Sequence, residues 1–124
     1  MHPLLAVTVG GALGSAARYL VSRALLGATP AIPLGTLVIN VVGSFVLGIV
    51  LAPLPDQPPS TVRIALGAGF CGGFTTFSTL AWELMSLSDR GAAGRAGIYA
   101  GMSLGLGLVA VIAGTAVGRA MTSR

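Results

Sequence analysis

The stretch Gly67-Ala-Gly-Phe-Cys-Gly-Gly-Phe-Thr-Thr-Phe-Ser-Thr-Leu80 decides how this chain folds. It lies within Ile64–Trp82, a run of 19 residues without a charge. That length is close to the roughly 20 residues a helix needs to cross a bilayer. Its interior is not that of a plain span. Four glycines (Gly67, Gly69, Gly72 and Gly73) precede four hydroxyl residues, Thr75, Thr76, Ser78 and Thr79. A Gly-Gly step weakens a helix. Backbone groups freed inside a membrane must find partners, so a break persists only where protein, water or an ion satisfies them. Freed carbonyls at such a break can coordinate a cation. The other reading is an unbroken helix whose hydroxyls bond back to the preceding turn. The density of glycine and hydroxyl residues favours the break.

Outward from this stretch the chain repeats its lack of charge. Charged residues make up 8% of the 124 residues, against roughly 25% in an ordinary soluble domain. Met1–Ala17, Ala24–Pro55 and Ala96–Gly118 are the other charge-free runs, of 17, 32 and 23 residues. A mean hydropathy of +0.91 excludes a disordered chain. It leaves too few charges to cover a soluble surface. The expectation is an all-α membrane protein with four transmembrane helices, over residues 4–27, 34–52, 61–85 and 96–120, in one domain spanning residues 1–124. Pro30 and Pro33 bracket the first loop, and Pro53 to Ser60 forms the second, with four prolines in eight residues. Ser86 to Arg95 reads as a polar third loop. Met1-His2-Pro3 lacks the basic start of a signal peptide, so the first apolar stretch is expected to remain as a span.

Nineteen glycines are the second anomaly. Gly-xxx-Gly spacing at Gly10/Gly14, Gly69/Gly73, Gly97/Gly101/Gly105 and Gly114/Gly118 lets membrane helices approach closely and points to a homo-oligomer. With four spans, Arg63, Arg119 and Arg124 fall on one side. Arg23, Arg90 and Arg95 fall on the other, with Arg18 deeper on that side. The positive-inside rule gives almost no bias, which leaves open one fixed orientation or insertion both ways as an antiparallel dimer. The net charge of +4 does not point to nucleic acid, because the arginines are scattered with no basic stripe. Cys71 is the single cysteine and reads as a small buried apolar residue.

Three polar residues stand out in or near the spans. Glu83 closes the decisive stretch, with little apolar cover beyond it, and reads as facing an interfacial vestibule. Asn40 lies in the middle of helix two, where an amide wants a polar partner or a wet path; a plain interhelical hydrogen bond is the alternative. Arg18 reads as structural, snorkelling to the interface. No nucleophile–base pair, metal cluster or phosphate loop appears, so the chain is not expected to be an enzyme.

Three motifs together resemble the small fluoride channels called Fluc or CrcB. They are Gly10-Gly-Ala-Leu-Gly-Ser-Ala-Ala-Arg18-Tyr19, Pro33-Leu-Gly-Thr-Leu-Val-Ile-Asn40-Val-Val-Gly43-Ser-Phe45, and Gly69-Phe-Cys-Gly72-Gly-Phe-Thr75-Thr-Phe77-Ser-Thr79. The resemblance covers the whole chain, and its third motif is highly specific. It implies a dual-topology antiparallel dimer in the cell membrane, with two fluoride pathways and an interrupted third helix. It also implies a structural sodium ion, not transported, held by backbone carbonyls at Gly72 and Thr75. Fluoride is small and strongly hydrated, so its path must replace water with donors. Asn40 can offer its amide N–H, and Thr76, Ser78, Thr79 and Ser103 their hydroxyls. Aromatic ring edges are electropositive, and Phe77 matches the first of two pathway phenylalanines in the family. Tyr99 and Ser103, four residues apart, look similar to pore-lining positions. Leu80 departs from the pattern, since it stands where the second phenylalanine is usual. It is either a tolerated wall residue or a sign that the chain works with a paired, non-identical partner chain.

Passive fluoride export is therefore the leading reading. A small proton-coupled multidrug exporter is the alternative. That class relies on an embedded Glu early in the chain, whereas the single Glu here is Glu83, and aromatics are only 6%. A non-transporting assembly subunit fits the glycine faces but leaves Asn40 and the break unexplained.

Overall fold

The computed structural model describes residues 1–25, 32–55 and 57–123, and among these every regular element is helical. We label α1 Pro3–Leu25, α2 Leu34–Leu51, α3 residues 61–74, α4 Phe77–Asp89 and α5 Ala93–Thr122. Four segments of described residues are long and apolar enough to cross a membrane: Pro3–Leu25, Leu34–Leu51, Thr61–Asp89 and Ala93–Thr122. The expected end of helix one at Gly27, the loop proline Pro30, and Arg124 lie outside the described residues, as does Asp56.

The surface carries the apolar residues that a soluble protein would hide. Leu13, Leu20, Leu104, Leu108 and Ile112 are all exposed, while the buried set is short and mixes small residues such as Ala6, Cys71 and Ala110 with Leu37, Ile39, Phe74 and Tyr99. Lipid tails are as apolar as leucine, so helices here associate through close backbone packing rather than apolar burial. Glycine makes that approach possible along two seams. Between α1 and α3, a Cβ on Gly10 would strike the Ala65 carbonyl oxygen, and one on Gly14 that of Phe70. Between α2 and α5, a Cβ on Gly48 would strike the Val111 carbonyl, and one on Gly114 that of Phe45. Three of the sequence's Gly-xxx-Gly pairs, Gly10/Gly14, Gly69/Gly73 and Gly114/Gly118, thus pack within the chain. Gly97, Gly101 and Gly105 meet nothing within 4 Å.

Helix ends depart from the sequence expectation. The third segment continues past Met85 to Asp89, and α5 begins at Ala93 rather than residue 96. The polar loop from Ser86 shrinks to residues 90–92. The cause is a compact stop. Gly91 takes φ +77°, its N–H donates to Ser88 O at 3.0 Å, and the Ala92 N–H donates to Leu87 O at 2.9 Å. That is the Schellman pairing, which satisfies the last carbonyls of a helix. Ser86 and Ser88 are accommodated in the last turn, Ser88 Oγ donating to Leu84 O at 3.0 Å.

Gly114→Ala is expected to destabilise the detergent-solubilised protein by about 1–3 kcal/mol, because its methyl has nowhere to go. Gly94→Ala, with nothing within 4 Å, should change stability by no more than about 0.5 kcal/mol. Thermal unfolding of both variants checks this, and equal losses would contradict the packing.

Candidate ion pathway

The site is built on the junction between α3 and α4. Within α3, Ile64–Cys71 winds as a π-helix, and the Gly72 N–H closes it on Gly67 O, five residues back. After Gly72–Phe74 the backbone opens. Thr75 takes φ −82°, ψ 159° and Thr76 φ −150°, ψ 118°, both extended. Helix α4 then begins at Phe77 with Thr76 as its cap: the Thr79 N–H donates to Thr76 Oγ1 at 3.2 Å. A threonine at this position is a favoured helix start.

The Thr76 peptide is held by Asn40. Asn40 Nδ2 donates to Thr76 O at 3.0 Å, and the Thr76 N–H donates to Asn40 Oδ1 at 2.8 Å. One amide side chain thereby satisfies both backbone groups of a residue that has left the helix. Gly43, one turn on from Asn40, brings α2 against the junction; a Cβ there would strike Thr75 Cγ2. Thr75 Oγ1 donates to Cys71 O at 2.9 Å.

These bonds have a consequence for Gly72 and Thr75. In an unbroken helix each carbonyl accepts from the N–H four residues on. The Thr76 N–H, which would serve Gly72, goes to Asn40, and the Thr79 N–H, which would serve Thr75, goes to the Thr76 hydroxyl. Gly72 is exposed, and a Cβ there would meet only Gly67 O, at 3.8 Å. A groove of about 320 Å³ opens beside them, lined by Asn40, Ser44, Thr75, Thr76, Phe77 and Leu80 among others.

A second polar cluster lies between α2, α4 and α5. Thr36 Oγ1 donates to Glu83 Oε1 at 2.7 Å, and Tyr99 Oη donates to Glu83 Oε2 at 2.6 Å. Tyr99 is fully buried and Ser103 is 8% exposed. The Ser103 hydroxyl stands beside Tyr99 but makes no hydrogen bond of good geometry among the described residues. Thr76 and Thr79 also line a smaller groove of about 260 Å³, with Thr36, Ser15, Ser22 and Arg18.

The residues singled out in the sequence therefore fall into two groups. Asn40, Gly72, Thr75, Thr76, Phe77, Ser78, Thr79 and Leu80 meet at the junction, and Glu83, Tyr99 and Ser103 form the second cluster. Phe77 is 81% exposed, its ring projecting away from the rest of the chain. Glu83 is half-buried, and it lines a wide cavity with both oxygens held by hydroxyls. Arg18 is half-buried among hydroxyl residues. Thr36 was missed from the sequence. Its signal was its spacing, four residues before Asn40 on one helix face.

The family model described as "CrcB-like protein, Camphor Resistance (CrcB)" matches residues 5–115. The chain belongs to the CrcB family. Its relatives include a protein of Rhizobium etli named "Fluoride-specific ion channel FluC", 47% identical over 124 residues, covering 98% of this chain and 99% of that protein. A Cereibacter sphaeroides protein of the same name is 44% identical over 119 residues, 94% of each chain. One from Paracoccus denitrificans is 44% identical over 120 residues, 97% of each. Like other CrcB members, this is a multi-pass protein of the cell membrane.

Removing the Asn40 side chain leaves the Thr76 N–H and C=O without their partner, at about 1–3 kcal/mol for each unsatisfied group. Asn40→Ala is thus expected to speed hydrogen exchange of the Thr76 amide. Amides of the α1 seam around Gly10 should keep wild-type protection, and an unchanged rate at Thr76 would contradict the clamp.

Proposed function

We propose that this CrcB chain is a fluoride-specific ion channel that passively exports cytoplasmic fluoride and so lowers its toxic concentration. The reading rests on the family and on relatives named for that activity over nearly their whole length. The observation on the chain itself that carries it is the buried Ser103 hydroxyl, which stands beside Tyr99 but makes no hydrogen bond of good geometry among the described residues. A buried, unsatisfied polar group is costly, and a small anion in need of hydrogen-bond donors would satisfy this one. Hydrogen fluoride crosses the membrane from an acidic exterior and dissociates inside. A channel then lets the anion run out down its gradient, helped by an inside-negative potential, with no chemical step.

The functional unit is an antiparallel dual-topology dimer, or a pair of this chain with a homologous one. The near-even arginines support either, as does the Gly97/Gly101/Gly105 face, which meets nothing within the chain. Each pathway follows the two polar clusters. Asn40 offers its remaining amide hydrogen, and Ser78, Thr79 and Ser103 their hydroxyls; Thr76 and Tyr99 line the path and orient it, their own hydroxyl hydrogens donated to Thr79 and Glu83. The exposed Phe77 ring presents an electropositive edge to the anion. Leu80 has no such edge, so in a symmetric dimer both pathways lack a second ring.

The carbonyls of Gly72 and Thr75 fit a hard cation. They are oxygen donors whose helical partners are diverted, and open space stands before Gly72. A structural sodium held there supplies positive charge that offsets the cost of an anion in a low-dielectric interior. The multidrug alternative is not favoured. Glu83, the single Glu, is held by two hydroxyls rather than free in a drug pocket.

Purified protein in liposomes, with a fluoride electrode and a potassium ionophore, tests the reading. Rapid release of fluoride and retention of chloride are expected. Phe77→Ile is expected to abolish release while the protein keeps its wild-type elution volume. Restoration only on adding a second homologous chain would establish the paired form, and failure of both forms would overturn the channel.

A further inference from the structure

Arg119 stands exposed in the last turn of the 30-residue α5. It lies beside the end of α2, where a Cβ on Gly118 would meet Ala52 Cβ at 3.1 Å. Nothing in the chain needs its guanidinium there. The last carbonyls of α5 are served without it: the Ser123 N–H donates to Arg119 O at 3.1 Å, Ser123 Oγ donates to Ala120 O at 3.1 Å, and Thr122 Oγ1 shares its hydrogen between Gly118 O and Arg119 O. The carbonyls of Leu51 and Leu54, at and beyond the end of α2, accept from Arg63 instead. The Arg119 guanidinium makes no hydrogen bond or salt bridge among the described residues. The described carboxylates, Glu83 and Asp89, are on α4, which meets the opposite end of α5.

A groove of about 340 Å³ descends from Arg119 along α5, lined by Val111, Ile112, Thr115 and Ala116. From Val111 to Arg119 it runs about 12 Å along the helix, most of the roughly 15 Å hydrocarbon depth of one leaflet. Its polar point is Thr115, one turn inside Arg119. Thr8, Thr75 and Thr122 each donate to the carbonyl four residues before. The Thr115 hydroxyl makes no hydrogen bond among the described residues.

We propose that this groove holds one anionic phospholipid. Its phosphate pairs with Arg119, its ester region meets the Thr115 hydroxyl, and one acyl chain lies along Val111, Ile112 and Ala116. Charge, hydroxyl and apolar wall follow one another from the interface inward, as do the parts of the lipid. A guanidinium matches phosphate oxygens bidentately. No described carboxylate stands near to receive a headgroup ammonium, which favours an anionic lipid over a zwitterionic one. An arginine that only snorkels into the headgroup layer needs no groove and leaves Thr115 unpaired. The inference is independent of the fluoride reading.

Native mass spectrometry of the purified full chain, in detergent with phosphatidylglycerol or phosphatidylcholine of matched chains, reads the first bound lipid. Wild type is expected to bind phosphatidylglycerol about fivefold more tightly, the factor one arginine supplies near an anionic surface. R119Q should bind both lipids equally, and R23Q, altered at the other membrane face, should keep the wild-type preference. T115V should weaken both lipids by a similar factor, and A116F, which fills the groove, should weaken both as well. Excess inorganic phosphate at constant ionic strength should not displace phosphatidylglycerol. Equal binding of the two lipids by wild type would overturn the proposal, as would a preference that survives R119Q or wild-type binding of both lipids by T115V. Displacement by inorganic phosphate would make this a free-anion site and overturn the lipid. Dissociation of A116F into a smaller species would assign the groove to a second copy of the chain, and would overturn it too.

Discussion

The two hydrogen bonds between Asn40 and the Thr76 peptide are the contact on which the rest of this structure depends. An extended pair of residues within a membrane span exposes N–H and C=O groups that no lipid can satisfy, each at several kcal/mol. A carboxamide is the one uncharged side chain type that carries both a donor and an acceptor in the geometry a peptide presents. Placed at Asn40, it takes the Thr76 N–H and carbonyl together. The threonines complete the arrangement, Thr75 bonding back to Cys71 and Thr76 capping α4. The opened backbone is therefore satisfied locally, except at the carbonyls whose donors have been diverted.

The seams of glycine serve this contact. Helix α2 can present Asn40 to the junction because Gly43 removes the side chain that would hit Thr75. Helix α1 seats α3 through Gly10 and Gly14, so the π-wound segment leading into the junction is fixed against backbone rather than against mobile side chains. At the other end of α2, Gly48 meets α5 and its Gly114. Helix α5 in turn carries Tyr99 to the carboxyl of Glu83. Close packing of backbones thus fixes polar groups at defined positions inside a shell of leucine, isoleucine and valine that faces lipid.

Much of this was legible in the residues. The gaps between charges gave four spans, because a charge within a bilayer is costly enough to be read from its absence. The density of glycine and hydroxyls between Gly67 and Leu80 pointed to a departure from plain helix, and the polar residues of interest lie at two clusters. Other features were not legible, for physical reasons. An amide at mid-span wants a polar partner, but which backbone group Asn40 meets depends on the docking of α2 on α3. The small-xxx-small pattern is the same whether a neighbour lies within the chain or beyond it, so Gly10/Gly14 and Gly97/Gly101 looked alike. The third loop looked long because Ser and Asp are poor helix formers. The Schellman stop at Gly91 and the Ser88 hydroxyl bond to Leu84 carry the helix through them.

In the proposed function the clamp serves conduction: Asn40 holds the Thr76 peptide out of the helix, and the opened junction is the proposed path of the anion. The most direct test is fluoride flux through Asn40→Ala protein reconstituted in liposomes, using material that elutes and unfolds as one folded species. The account predicts a loss of at least tenfold against wild type. Wild-type flux from folded Asn40→Ala protein would contradict it.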